Sequence, residues 1–262
     1  MSRLVRAELI RLVRRRTFVV MAAGSLLLSV VATVAVFSSA QTTGTVTRQG
    51  GTTLAILEGH GGGTEAFAVG ASFTGFLVFV TFIALIATEF SGGTFRALLL
   101  RDPRRARVLV GKLIGILIVA AATVALAEVL TFLVSLALAP AYDISTSGWF
   151  SIESVGAALS NYATVLAGVV GWAIYGTMLA VIFRSAPVAL AVGFAWAGPF
   201  ENIVSRSWGA GYRLFPGQVL DSLIEGGTAE LGLARAAVTA VLYAAIAGAV
   251  ALILVSRRDV TA

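Results

Sequence analysis

Cysteine is absent from the 262 residues, which excludes disulfides, thiol catalysis and thiolate metal sites. Histidine occurs once, at His60, and charged residues make up only 12% of the chain. The one histidine sits among glycines between Glu58 and Glu65. A metal centre built from those three residues competes there with the plainer reading of an exposed loop histidine. No Gly-Lys-Ser or Gly-Lys-Thr follows the glycines, so they form no phosphate loop, and no Walker-type loop for ATP occurs elsewhere. No nucleophile triad, zinc-helix motif or paired-carboxylate motif can be read either. The expectation is a chain that binds no cofactor itself and is not an enzyme by itself.

What is abundant is apolar. Hydrophobic residues are 58% of the chain and the mean hydropathy is +0.94. A soluble domain cannot bury that much carbon, so lipid is the expected solvent for most of the chain. The formal charge of +6 and a pI near 10.5 do not point to nucleic acid, because the bases sit in short segments beside the apolar runs.

Those runs divide a single transmembrane domain over 1–262. Residues 1–16 interleave Leu4, Val5, Leu9, Ile10, Leu12 and Val13 with six arginines, the pattern of an amphipathic helix lying flat on a membrane surface. Six spans are expected at about 18–38, 67–88, 113–139, 157–183, 188–204 and 234–255. The first is followed by Ser38-Ser39-Ala40 and resembles a cleavable signal, but it is longer than a signal core and is read as retained. The fifth is apolar only over 188–198. It either continues through Pro199 to Ile203 and Val204 or is a half-span completed by a re-entrant segment.

Charge fixes an orientation. Of 19 Lys and Arg, six precede the first run, six lie between Arg96 and Lys112, and Arg184, Arg257 and Arg258 complete fifteen on one side. Arg48, Arg206, Arg213 and Arg235 make four on the other, with eight of the 13 acidic residues. Both termini are therefore expected in the cytoplasm of a multi-pass protein of the cell membrane.

Between the second and third runs the chain reads EFSGGTFRALLLRDPRRARVLVGK, from Glu89 to Lys112. Ser91-Gly92-Gly93 gives a break, Thr94 can cap a short helix over Phe95, Arg96, Ala97, Leu98, Leu99 and Leu100, and Asp102-Pro103 stops it. Arg101, Arg104 and Arg105 flank the apolar residues, and Glu89 can pair with an arginine of this elbow. Glu, then Gly-Thr, a Leu pair, Pro with Arg-Arg and Gly-Lys resembles the loop after the second span in permease subunits of the ABC type-2 transporter family.

That resemblance implies several things. The short helix would be a coupling helix, so Thr94, Phe95, Arg96, Leu98, Leu99, Leu100, Arg101, Arg104 and Arg105 would contact a separate ATPase subunit that carries ATP and Mg. Two ATPase copies and a second permease copy or paralogue would complete the transporter. Residues 201–233, mixing Trp208, Tyr212 and Phe215-Pro216-Gly217 with Glu201, Asp221, Glu225 and Glu230, would supply re-entrant helices before the sixth span. The function implied is export of an amphiphile such as a drug, lipid, peptide or polymer. The alternative is a membrane-embedded enzyme or an accessory subunit that transports nothing.

Within the runs Glu128 is the one ionisable residue expected deep in a span, either on a substrate path or as a packing carboxyl. Glu89 and Glu128 are the candidates for gating or the substrate path. Ala236, Ala240, Ala244 and Gly248 form a small-residue stripe on the sixth run, expected to pack within the same chain. Trp149, Tyr162, Trp196, Trp208 and Tyr212 are expected at one membrane boundary.

Overall fold

A computed structural model describes residues 5, 9, 10, 15–40, 52–93, 95 and 104–257. Helices dominate it, as the long apolar runs require, because a helix satisfies its backbone groups internally and needs no water. They are α1 (Arg15–Ser39), α2 (Leu54–Glu58), α3 (Gly62–Ser91), α4 (Arg105–Leu138), α5 (Ile152–Phe183), α6 (Ala186–Ala195), α7 (Glu201–Ser207), α8 (Gly211–Leu214), α9 (Pro216–Ile224) and α10 (Leu233–Arg257). Among the described residues the only β pairing is an isolated bridge between Gly227 and Gly232.

Among the described residues four segments are long and apolar enough to cross a membrane: Arg105–Tyr142, Ile152–Phe183, Ala186–Ser207 and Leu233–Arg257. Helix α3 makes a fifth if its two parts count as one, since Gly62–Phe73 and Gly75–Ser91 meet at 42°. The apolar part of α1 is the shorter stretch Ala23–Ser39. Six full spans were expected; the described residues show these four, or five with α3. Most of the expected surface helix over 1–16 lies outside the described residues.

The fifth run follows the first of its two alternatives. Helices α6 and α7 are joined by a π-helical turn, Trp196–Phe200, with Pro199 inside it. Proline lacks the N–H of a regular turn and its ring crowds the preceding turn; the wider π turn makes room. Asn202 Nδ2 donates to the Gly198 carbonyl at 2.8 Å and satisfies one acceptor near the break.

Three buried clusters hold the helices together. At the basic end Phe82, Ile86, Phe95, Val108, Leu109, Val181 and Val255 join α3, α4, α5 and α10. At the opposite end Phe37, Leu57, Ala139, Ile144 and Trp149 join α1 and α2 to the turn after α4. Trp149 is buried against α2, its indole N–H donating to the Leu57 carbonyl at 2.7 Å. The central cluster wraps Trp172 with Phe79, Val219, Leu220 and Ile224. Helix α9 presses here against α5 at glycines, for a Cβ at Gly168 would lie 2.2 Å from Ile224 Cγ1, and one at Gly171 2.3 Å from Leu220 Cδ2. Ala236 and Ala240 of the small-residue stripe are buried in this same cluster.

Candidate functional site

Three features stand apart from plain packing. The first is a cleft of about 550 Å3 between α1, α3 and α4. Its walls are carbon, from residues such as Leu28, Ala32, Phe67, Phe82, Ile116 and Val124. Most hydroxyls on the wall have partners on the helices themselves, Thr81 donating to the Leu77 carbonyl and Thr123 to the Val119 carbonyl, each at 2.8 Å. Thr131 Oγ1 lies 2.9 Å from Ser29 Oγ and 2.8 Å from the Ala127 carbonyl, which Ser29 also reaches at 3.4 Å. Along α4 the lining runs from Ile116 to Thr131, roughly 23 Å at the helical rise, which is most of the depth of a bilayer's hydrocarbon core.

The second feature closes the basic end. Lys112 Nζ stands 2.6 Å from Glu89 Oε1 with both side chains buried, so the last turns of α3 are tied to the second turn of α4. The elbow was expected to offer Glu89 an arginine; this ion pair is with Lys112. Phe95 packs on Phe90 with ring centroids 4.5 Å apart, and the Arg184 guanidinium lies 5.8 Å from the Phe90 ring. Phe95 is 1% exposed. It was expected to contact an ATPase subunit; here it is buried with Val108, Leu109 and Val181, which offer it a carbon pocket. Arg104 is exposed just before α4, and Arg105 is half-buried in its first turn. Thr94, Arg96, Leu98, Leu99, Leu100 and Arg101 lie outside the described residues.

Glu128 is half-buried on α4, and its Oε1 is enclosed without a hydrogen-bond partner. It does not line the cleft, whose α4 face passes through Thr123, Val124, Ala127 and Thr131. Nor is it the lone carboxyl inside an apolar segment. Glu201 is 0% exposed within Ala186–Ser207, a correction that follows from the helix running on through Pro199.

Glu201 anchors the third feature. Its Oε2 accepts from the Gln218 backbone N–H at 3.2 Å and from that of Gly217, so a carboxylate on one helix caps the first turn of α9. The first N–H groups of a helix have no partner within it, and the macrodipole there favours an anion. Pro216 starts the helix without an N–H to satisfy, and a Cβ at Gly217 would sit 2.5 Å from Glu201 Oε2, so the glycine lets the carboxyl approach this turn. Further bonds hold α9 in place. Tyr243 donates its hydroxyl to the Leu214 carbonyl, Thr164 reaches the Ile224 carbonyl at 3.3 Å, and Ser222 donates to the Leu231 carbonyl at 2.8 Å. Asp221 lies one turn beyond Gly217, and Glu225 closes the helix, accepting from Ser72 Oγ at 3.1 Å.

Burial, then the nearby Glu225 and Glu201 carboxyls, hold the Asp221 carboxyl well above the usual range; the adjacent Trp172 indole opposes this. Burial also raises Glu225, partly offset by Ser72. Sequence reading noted these acids only as part of a mixed polar segment. The available signal was Glu201 two residues after Pro199, with Phe215-Pro216-Gly217 opening a helix downstream. His60 contacts Ser151 Oγ at 2.9 Å and the Gly148 carbonyl at 3.2 Å. Among the described residues no group of three or more His, Cys, Asp and Glu is arranged to hold a metal ion.

Fold and sites together describe an all-helical protein of transmembrane character with an apolar cleft and a carboxylate-capped internal helix. The chain belongs to the DUF2705 family, described as a protein of unknown function, which matches residues 26–261. No curated protein matches the chain.

Proposed function

We propose that the chain is the permease subunit of an ATP-driven transporter resembling the ABC type-2 class, moving an amphiphile across the cell membrane with both termini in the cytoplasm. The supporting observation is the carbon-walled cleft between α1, α3 and α4, whose length along α4 compares with most of the depth of a bilayer's hydrocarbon core. An apolar tail in it would meet mainly carbon, since Ser29, Thr81, Thr123 and Thr131 on its wall have hydrogen-bond partners within the helices. Hydrocarbon contact of this kind is worth about 0.8 kcal/mol for each buried methylene relative to water.

In this reading the basic loop after α3 is the coupling element. Thr94, Arg96, Leu98, Leu99, Leu100, Arg101, Arg104 and Arg105 meet the partner ATPase, which supplies ATP and Mg. Phe95 and the Glu89–Lys112 pair form the rigid connection through which motion reaches α3 and α4. A rigid connection is what coupling needs, because a slack loop would absorb the displacement. Six membrane crossings, two permease copies, and α8 and α9 as re-entrant helices belong to the same proposal.

The test is to purify the tagged chain from its native membrane and identify what comes with it. An ATPase that co-purifies, and whose hydrolysis responds to added amphiphiles, is the expected result. Recovery of the chain without any ATPase, from membranes in which it is stable, refutes the reading.

A further inference from the structure

The carboxyls around α9 carry a second inference, independent of the transport reading. Charged and titratable groups reach this region from every element packed on α9. Helix α7 supplies Glu201, α5 supplies Tyr175, α10 supplies Tyr243, and α9 with its exit turn supplies Asp221 and Glu225. Helix α3 contributes the Ser72 hydroxyl, and Arg213 of α8 is turned to the Glu230 carbonyl at 2.9 Å. No cation pairs with Glu201, Asp221 or Glu225 among the described residues.

Two of the acids have partners. Glu201 is held by the N–H groups of α9, and Glu225 by Ser72. Asp221 is different, because its Oδ1 is buried without a well-formed hydrogen bond. Beside it, Trp172 is 1% exposed and its Nε1 is likewise without a full hydrogen bond. Glu201 Oε1, on a residue with no exposed surface, is a third buried polar atom with no partner. Neighbouring carboxyls that lack a counter-cation cannot all ionise at low cost.

We propose that Asp221 is a proton-binding site, flanked by the Glu201 and Glu225 carboxylates, and that its proton keeps α9 docked between α5 and α10. The proton is placed on Asp221 because the N–H groups of α9 offset part of the cost of burying the Glu201 carboxyl, while Asp221 has only the Trp172 indole beside it. The raised position of Asp221 sets the direction of the pH effect. Above the ordinary carboxylate range the folded chain holds a proton that the unfolded chain has released. Docking of α9 therefore weakens as pH rises towards the folded-state value.

The test uses the full chain in lipid nanodiscs and infrared spectroscopy across a pH series. A protonated carboxyl band present at neutral pH, lost in Asp221→Asn and titrating above the ordinary range, is the expected result. Glu201→Gln and Glu225→Gln should each lower its midpoint, by about one unit or a tenfold loss of proton affinity. Deuterium exchange of the α9 amides, corrected for intrinsic rates, should accelerate with pH in the parent chain and not in Asp221→Asn. Absence of the band, or a band indifferent to Asp221→Asn, overturns the proposal. A midpoint that moves with sodium concentration overturns it in favour of a metal-cation site. Should Asp221→Asn fail to insert, carbodiimide labelling of the parent chain serves instead. Labelling mapped to Asp221 that declines as pH rises supports the proton site, and none at Asp221 overturns it.

Discussion

Removing one member of the Glu89–Lys112 pair should be among the most damaging single changes available at the basic end. The two groups meet at 2.6 Å with about 5% of either side chain exposed. Lys112→Met therefore takes the ammonium from a buried carboxylate, and Glu89→Leu takes the carboxylate from a buried ammonium. Breaking a buried pair from one side typically costs about 3–5 kcal/mol, whereas replacing both partners with apolar groups is often close to neutral. For a chain of this size such a loss lowers the unfolding midpoint by roughly 6–20 °C. The assay is thermal unfolding of the two single variants and the double variant in one detergent. Each single variant should fall within that range, and the double variant should lose less than either. A double variant whose loss equals the sum of the singles would show that the two charges do not interact, and would remove the rigid link assigned to this end.

Three further outcomes follow from the geometry. Phe95→Ser empties a carbon pocket and should cost about 3–5 kcal/mol by thermal unfolding, whereas an outward-facing Phe95 would lose almost nothing. Gly217→Ala drives a methyl into Glu201 Oε2 and should cost about 1–3 kcal/mol; if adding Glu201→Ala, which empties that space, leaves the cost of the methyl unchanged, the contact is misassigned. Because the chain has no cysteine, Ser145→Cys and Arg257→Cys can be labelled without background. An impermeant thiol reagent on intact cells should modify position 145 and leave 257 unmodified, and the reverse pattern would invert the proposed orientation.

The sequence by itself determined the solvent and the secondary structure. Apolar runs too long for a soluble core require helices, and helices fill the structure from Arg105 to Phe183 and from Leu233 to Arg257. It also marked Pro199 as the point where the fifth run had to be resolved, and Glu89 as the end of the second. It could not say which way a helix faces. In α3 and α4 apolar residues occupy every face, so no periodicity separates the side towards lipid from the side towards protein. Partners distant in the chain were decided only by packing. Phe95 turned inward because α4 and α5 presented carbon to it. Glu89 met Lys112, and Trp149 found the Leu57 carbonyl, ninety-two residues away. Glu201 became a cap because the chain returned at Pro216 and Gly217, where its carboxyl meets first-turn N–H groups that the helix itself cannot satisfy.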